Sequence, residues 1–400
     1  MRGLTAASYL AASVPLRLAT SGVMVALPIL AATELGDLAL GGQLVAATLG
    51  PSVLAAPLVG VTLDRTRHPR RWMLAGAGVT AAAFALAASL GSVPTPLVML
   101  ALVASGMFAP FFMGGLSSFV ADEFVDARRG YAHDALSYNV GSVGGPALVA
   151  VLAVAGSPRT ALLVLAAIGL LGCAGLFALR LAPRPAPRVG AVRTMATGMR
   201  HLVAHRPIAI VTLSGTLSQL GAGGLAVAAV AVALERAGSA ERAAWVVTAF
   251  AIGGLLGALA VAARRWGSAP PIVVMGAGFA ATGVATVVAA IDLGFVWTVA
   301  AIGVSGLFTA SSAAAMLLLR KEQSPLAVRS QVFTVGAGLR ASAAAAGAAI
   351  AGAMAHASGG VLLATIGGVW VISALVLLAY PRNAVPLATG PIPTGAASSS

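Results

Sequence analysis

The chain has 400 residues, 59% of them hydrophobic and 9% charged, with a mean hydropathy of +0.97. A soluble domain carries about a quarter charged residues, so that class is excluded, and the lack of alternating strands of about ten residues excludes a transmembrane barrel. Lysine and arginine outnumber aspartate and glutamate by 24 to 11, but the arginines fall between apolar runs rather than on one polar face, which points to membrane topology and not to nucleic acid.

The apolar runs predict twelve spans, at about 9–33, 39–61, 72–91, 96–119, 131–155, 160–181, 207–233, 243–263, 271–291, 295–319, 331–356 and 360–380. Each approaches the roughly 20 residues that a helix needs to cross hydrocarbon. The first could pass for a signal peptide, but Arg17 splits it and eleven further runs follow, so it is read as a retained span. The ninth and tenth are separated only around Asp292 and Gly294. Arg2, the four arginines of 65–71, Arg128, Arg129, Arg180 through Arg206, Arg264, Arg265, Arg320, Lys321, Arg329 and Arg382 all fall on one face. The other face holds Arg159, Arg236 and Arg242 beside Glu34, Asp37, Glu235 and Glu241. The positive-inside rule then places both termini in the cytoplasm of a multi-pass protein of the cell membrane. Cys173, the single cysteine, lies in an apolar run and is read as a packing residue.

The expected organisation is an N-terminal six-helix bundle (1–182), a basic linker (183–206), a C-terminal six-helix bundle (207–381) and a low-complexity, disordered tail (382–400). Within the linker, Met195, Met199, Leu202 and Val203 stand at helical spacing. An interfacial helix against anionic headgroups and a disordered basic connection are both open there. The halves echo one another: residues 127–156 and 328–359 each begin with arginine and turn Gly/Ala-rich in midspan. A 6+6 repeat with substrate bound between the halves is a transporter architecture.

The stretch GVTLDRTRHPRRWM, 60–73, follows the second span. Twelve spans, a basic central loop and G-x-x-x-D-R followed by paired arginines resemble the major facilitator superfamily over residues 9–380. Gly60, Asp64 and Arg65 match that family's loop pattern, whereas Arg67 stands where glycine is usual and His68-Pro69 displaces the pair to Arg70 and Arg71. The resemblance implies an all-α fold of two pseudo-symmetric six-helix bundles, with spans 1, 4, 7 and 10 lining the cavity and 2, 5, 8 and 11 gating it. Gly60 would allow close helix packing. Asp64, Arg65, Arg70 and Arg71 would form a latch with Asp122, Glu123 and Asp126 at the end of span 4; a purely topogenic charge run is the other reading. In span 5, Gly141, Gly145 and Pro146 resemble the Gly-Pro motif of proton-driven exporters, or else are small-residue packing.

Ionisable residues inside spans are costly, which singles out Arg17, Asp134 and Arg340. Arg17 and Asp134 are expected to pair, and Asp134 is the candidate proton-responsive group; a static pair or a snorkelling carboxylate is the alternative. Arg340 would bind an anionic group or cap the gate. Met107, Phe108, Phe111, Phe112 and Met113 in span 4, Gln219 in span 7 and Thr309 in span 10 would line an adaptable apolar cavity, unless the span 4 aromatics face lipid or other helices. No nucleotide, zinc or nucleophile motif is present, so no cofactor, metal or enzymatic activity is expected. The expectation is a monomer in the lipid bilayer exporting a small hydrophobic or amphipathic substrate in exchange for protons. Uptake, lipid movement, or a non-transporting sensor on the same fold are the alternatives.

Overall fold

The computed structural model describes residues 5–120, 124, 127–179, 181, 200–263, 269–324 and 326–384. They form twelve long helices: α1 (Ala6–Leu35), α2 (Leu38–Arg65), α3 (Pro69–Ala87), α4 (Thr95–Ser118), α5 (Ala127–Ala155), α6 (Pro158–Ala178), α7 (Arg206–Ala237), α8 (Ala243–Ala263), α9 (Pro271–Ala290), α10 (Phe295–Glu322), α11 (Leu326–Ala353) and α12 (Gly359–Val376). Eleven are long and apolar enough to cross a membrane. The remaining one, α3, opens with Arg70 and Arg71, which lower its hydropathy, yet its 19 residues reach about 28 Å at 1.5 Å per residue. Linker residues 183–199, including Met195 and Met199, and tail residues 385–400 lie outside the described residues. His201 to Ala204 are helical, with Leu202 buried against Ile208, Val332 and Val335.

The helix ends follow from local chemistry. Thr5, Asp37, Ser157 and Ser358 accept hydrogen bonds from backbone N–H groups that would otherwise be orphaned at helix starts. Pro69, Pro158 and Pro271 occupy first-turn positions, where their missing N–H costs nothing. Gly36 and Gly238 end α1 and α7 in the left-handed conformation, at φ 62° and 68°. Gly294, at φ 91°, makes the short turn between α9 and α10. Both α4 and α10 are interrupted in midspan, at Met113 and at Phe308; the first break follows Pro110 and precedes Gly114-Gly115.

Each half repeats one packing pattern. In the first, α1 packs on α5 and α6, α2 on α4, and α3 on α4 and α6; in the second, α7 packs on α11 and α12, α8 on α10, and α9 on α10 and α12. Glycine contacts set the register. A methyl group built on Gly22 would meet the carbonyl of Gly145, and one on Gly224 would meet that of Gly347. Reciprocally, Gly145 faces the carbonyl of Leu18, and Gly347 that of Leu220. The same shift of 202 positions therefore relates α1 to α7 and α5 to α11.

The halves meet at the end remote from the arginine-rich loops. There α2 lies against α11: a methyl on Gly42 would sit 2.5 Å from the Ala348 carbonyl and 2.7 Å from Gly352 Cα. The principal core cluster crosses the same junction, joining Leu27 and Leu30 of α1 to Val230 and Ala233 of α7 and Ala243 of α8. Small residues let backbones approach this closely, which is how helices associate where apolar burial alone gives little drive.

The same end carries two matching braces. Arg159 at the start of α6 donates to both carboxylate oxygens of Glu34 on α1, at 2.7 and 2.6 Å, and to the Leu90 carbonyl beyond α3 at 3.0 Å. In the second half, Glu235 of α7 accepts from the Gly359 amide that opens α12. Arg236 donates to the carbonyls of Ala289, Ala290 and Ile291 that close α9, and pairs with Asp292 at 3.3 Å.

Candidate functional site

Arg17 and Asp134 meet where α1 crosses α5. Gly141 makes this possible, because a methyl there would sit 2.9 Å from the Arg17 carbonyl carbon and from its Cβ. Gly145, one turn further along α5, passes as close to Gly22 and Leu18, and the following Pro146 is buried. The Gly-x-x-x-Gly face thus lets α1 lie directly on α5.

Arg17 is 1% exposed, and its Nη2 contacts Asp134 Oδ1 at 2.5 Å. Its Nη1 donates to the Asp134 carbonyl at 2.7 Å and to the Ser137 hydroxyl, its Nη2 also donates to Ser117 at 2.7 Å, and its carbon lies 3.5 Å from the Tyr138 ring centroid. Asp134 Oδ1 further accepts from the Tyr9 hydroxyl and from Ser117 at 2.9 Å. One carboxylate oxygen therefore gathers donors from α1 and α4 onto α5. No described residue bonds Oδ2, and the side chain keeps 13% exposure. Sequence reasoning reached Arg17 and Asp134; Tyr9, Ser117 and Ser137 carry no signal in a single sequence, since each stands in an ordinary apolar or small-residue run.

A cavity of about 550 Å³ lies between the halves, closed at one end by the junction just described. Of the eight helices expected to line or gate it, all but α4 contribute. Ser21 and Met24 come from α1, Asn139 and Ser142 from α5, Gln219 from α7, Phe250 from α8, Thr309 and Met316 from α10, Arg340 from α11 and Trp370 from α12. Of the wall residues, only Arg340 is charged. The wall is otherwise small, aliphatic or aromatic with a few polar groups, the usual make-up of a small-molecule site.

Gln219, Thr309 and Arg340 lie on the wall of this cavity, and the span 4 group does not. Phe111 and Phe112 are buried against α3: Phe111 stacks on Trp72 at 5.4 Å between centroids, and Gly76 lets α3 approach the Phe108 carbonyl and the side chains of Phe111 and Phe112, with Phe108 packed at the edge of the same cluster. Met113 sits at the helix break beside this cluster, and Met107 is exposed. Glycine on the neighbouring helix, invisible in the periodicity of span 4 itself, decides which way these rings turn.

Of the expected latch, Asp122, Glu123, Asp126 and the side chain of Asp64 lie outside the described residues. Arg70 donates to the carbonyls of Phe177 and Leu179 at the end of α6, at 3.0 and 3.3 Å. Arg65 and Arg71 are exposed. Gly60 corrects one expectation: no helix approaches it, and nothing lies within 4 Å of a methyl built there. The glycine faces open space at this end of α2.

The sequence groups Arg320 with the loop charges, yet it is 1% exposed on α10. Its guanidinium lies against α11, where a methyl on Gly336 would come within 2.9 Å of the guanidinium carbon. The apolar run reads as ending at 319, but the helix continues to Glu322 and the side chain folds inward.

Two pseudo-equivalent six-helix bundles around one central cavity define a membrane transporter of the two-bundle class. Residues 9–218 match the model of the Major Facilitator Superfamily, and the chain belongs to that family. Among curated proteins, none matches the chain. Solved structures share the fold: a POT family transporter in complex with a thioalcohol-conjugated peptide is 11% identical, with a TM-score of 0.75 over 94% of this chain and 95% of that one. A mutant of the nucleoside transporter NupG is 13% identical, with a TM-score of 0.77 over 94% of this chain and 100% of that one. A POT family transporter in complex with 5-aminolevulinic acid is 12% identical, with a TM-score of 0.73 over 94% and 95%.

Proposed function

We propose that this protein exports a small amphipathic solute across the cytoplasmic membrane in exchange for protons, with both termini cytoplasmic and Asp134 as the proton-responsive group. The observation that supports this is the Arg17–Asp134 pair, buried between α1 and α5 one turn from Ser21 of the cavity wall. As a carboxylate, Asp134 holds Arg17 and Tyr9 of α1 and Ser117 of α4. Protonation at the free Oδ2 removes the ionic attraction, while Arg17 keeps the Asp134 carbonyl, Ser137 and the Tyr138 ring. The bond between α1 and α5 then weakens without stranding the arginine, and the gating helix is released for the opposite arrangement of the halves. There Gly60, Asp64 and Arg65, with Arg70 and Arg71, would close the arginine-rich side on Asp122, Glu123 and Asp126. The proton gradient supplies the drive, since each charge moved is worth about 2.3 kcal/mol per 100 mV.

The test uses proteoliposomes with an imposed pH gradient and a panel of dyes, drugs and metabolites. Asp134→Asn should abolish gradient-driven accumulation while leaving downhill exchange intact. Gradient-driven accumulation at the wild-type level in that variant would show that Asp134 is not the coupling group. Reversing the gradient separates export from uptake, and a lipid carrier or sensor stays silent on the panel.

A further inference from the structure

We propose that the cavity takes an organic anion, a carboxylate or phosphate monoester on an apolar body, with Arg340 as its direct ligand and Arg320 as a second positive charge behind it. This deepens the transporter reading and rests on it. The argument starts from the register of the two halves. The shift of 202 positions that relates α1 to α7 and α5 to α11 puts Gln219 at the place of Arg17, Gly336 at the place of Asp134 and Arg340 at the place of Tyr138. The first half therefore holds one arginine and its carboxylate at this level. In the second half the carboxylate position is a glycine, and two arginines surround it.

Neither arginine has a counter-charge among the described residues. Nε and Nη2 of Arg320 and Nε of Arg340 are buried with no hydrogen-bond partner. Arginine cannot shed its proton to escape this cost, and charges held within membrane spans ordinarily pair with one another or line an aqueous path. Of the four acids in the second half, Glu235 caps α12, Asp292 pairs with Arg236 and Glu241 accepts from Ser239. The fourth, Glu322, stands two positions after Arg320 on α10 and forms no ion pair with either arginine. The guanidinium of Arg320 packs against the bare backbone of Gly336, behind the cavity wall, and Arg340 follows one turn along the same helix and lines the cavity. A ligand carboxylate or phosphate entering there supplies what Asp134 supplies in the first half. Phe250, Met316, Trp370 and the surrounding alanines receive an apolar body, and Gln219 and Thr309 offer it hydrogen bonds.

Equilibrium binding to the purified full-length protein in neutral detergent tests this, read as the shift in melting temperature that ligand binding produces. The probes are phenylacetate and phenyl phosphate, with phenethylamine and 2-phenylethanol as the matched cation and neutral compound. The two anions should raise the melting temperature and the other two should not. Arg340→Gln should abolish the shift, and Arg320→Gln should weaken binding at least tenfold. Ligand-free Arg340→Gln should melt at or above the wild type, because it removes an unpaired buried charge; an arginine with a purely structural role would lower it. Absence of an anion-selective shift, or an unchanged shift in Arg340→Gln, overturns the proposal. So does a shift produced by phosphatidylglycerol and not by the phenyl anions, which assigns the pair to a lipid phosphate. The measurement needs no gradient, so its failure leaves proton-driven transport standing, and a failed Asp134 transport test leaves a positive binding result standing.

Discussion

Asp134→Ala isolates what the ion pair contributes to the fold. The variant removes the acceptor for Arg17, Tyr9 and Ser117 in one step and leaves a guanidinium that is 1% exposed without its counter-charge. Breaking one side of a buried pair costs about 3–5 kcal/mol, most of it from the stranded charge. Here the Asp134 carbonyl, Ser117 and Ser137 still accept from Arg17, which places the expected loss near the lower end of that range, about 3 kcal/mol. Equilibrium unfolding of purified protein in detergent and denaturant measures it. The companion variant Arg17→Met with Asp134→Leu removes both charges and should recover most of the loss, to within about 1 kcal/mol of the wild type. If Asp134→Ala alone stayed within about 1 kcal/mol, or the double variant were no better than the single, the pair would not be what joins α1 to α5.

Three further outcomes are expected. Gly145→Val drives a branched side chain into the Gly22 amide and the Leu18 carbonyl, 2.5 and 2.6 Å from where its Cβ must sit; it should cost at least the 1–3 kcal/mol typical of overpacking and reduce folded yield on size exclusion. Gly60→Ala, at an open position inside α2, should not lower the melting temperature and should add up to about 0.5–1 kcal/mol of helix stability; a fall in transport despite that would locate the close approach at Gly60 in the opposite conformational state, and unchanged transport would dismiss it. Arg236→Ala should destabilise more than Arg159→Ala, because Arg236 is 4% exposed and serves three carbonyls whereas the Arg159–Glu34 pair is about one third exposed. The Arg159 pair should be worth at most about 1 kcal/mol and lose that in high salt; an equal cost for the two variants would refute the ranking.

The twelve helices were legible because hydrocarbon imposes length and apolarity on every span, and the arginine asymmetry then checked the count. The Arg17–Asp134 contact was legible in part: charges inside spans are few, and the family resemblance makes spans 1 and 5 neighbours, but a carboxylate snorkelling to the interface fits the same sequence. What escaped was settled by shape. Nothing within span 4 says that Gly76 on α3 makes room for Phe111 and Phe112, so span 4 alone points these rings to the cavity. Nothing in LLLRKE distinguishes an interfacial arginine from Arg320, whose burial depends on the bare backbone of Gly336 on another helix. Single-sequence hydropathy sees one helix at a time, and these side chains are turned by glycines on a second.

The braces at the arginine-poor end have a mechanical consequence. Glu34–Arg159 and the Arg236 cluster each tie three parts of one half together, Glu235–Gly359 ties α7 to α12, and every hydrogen bond and ion pair named above stays within a single half. Across the junction, Gly42 meets Ala348 and Gly352 through bare backbone. Strong directional bonds thus stiffen each bundle from within, and the seam between the bundles is held by many weak, undirected touches. Such a seam can part and reseal without any donor or acceptor losing its partner, so the two bundles can tilt as solid pieces about it.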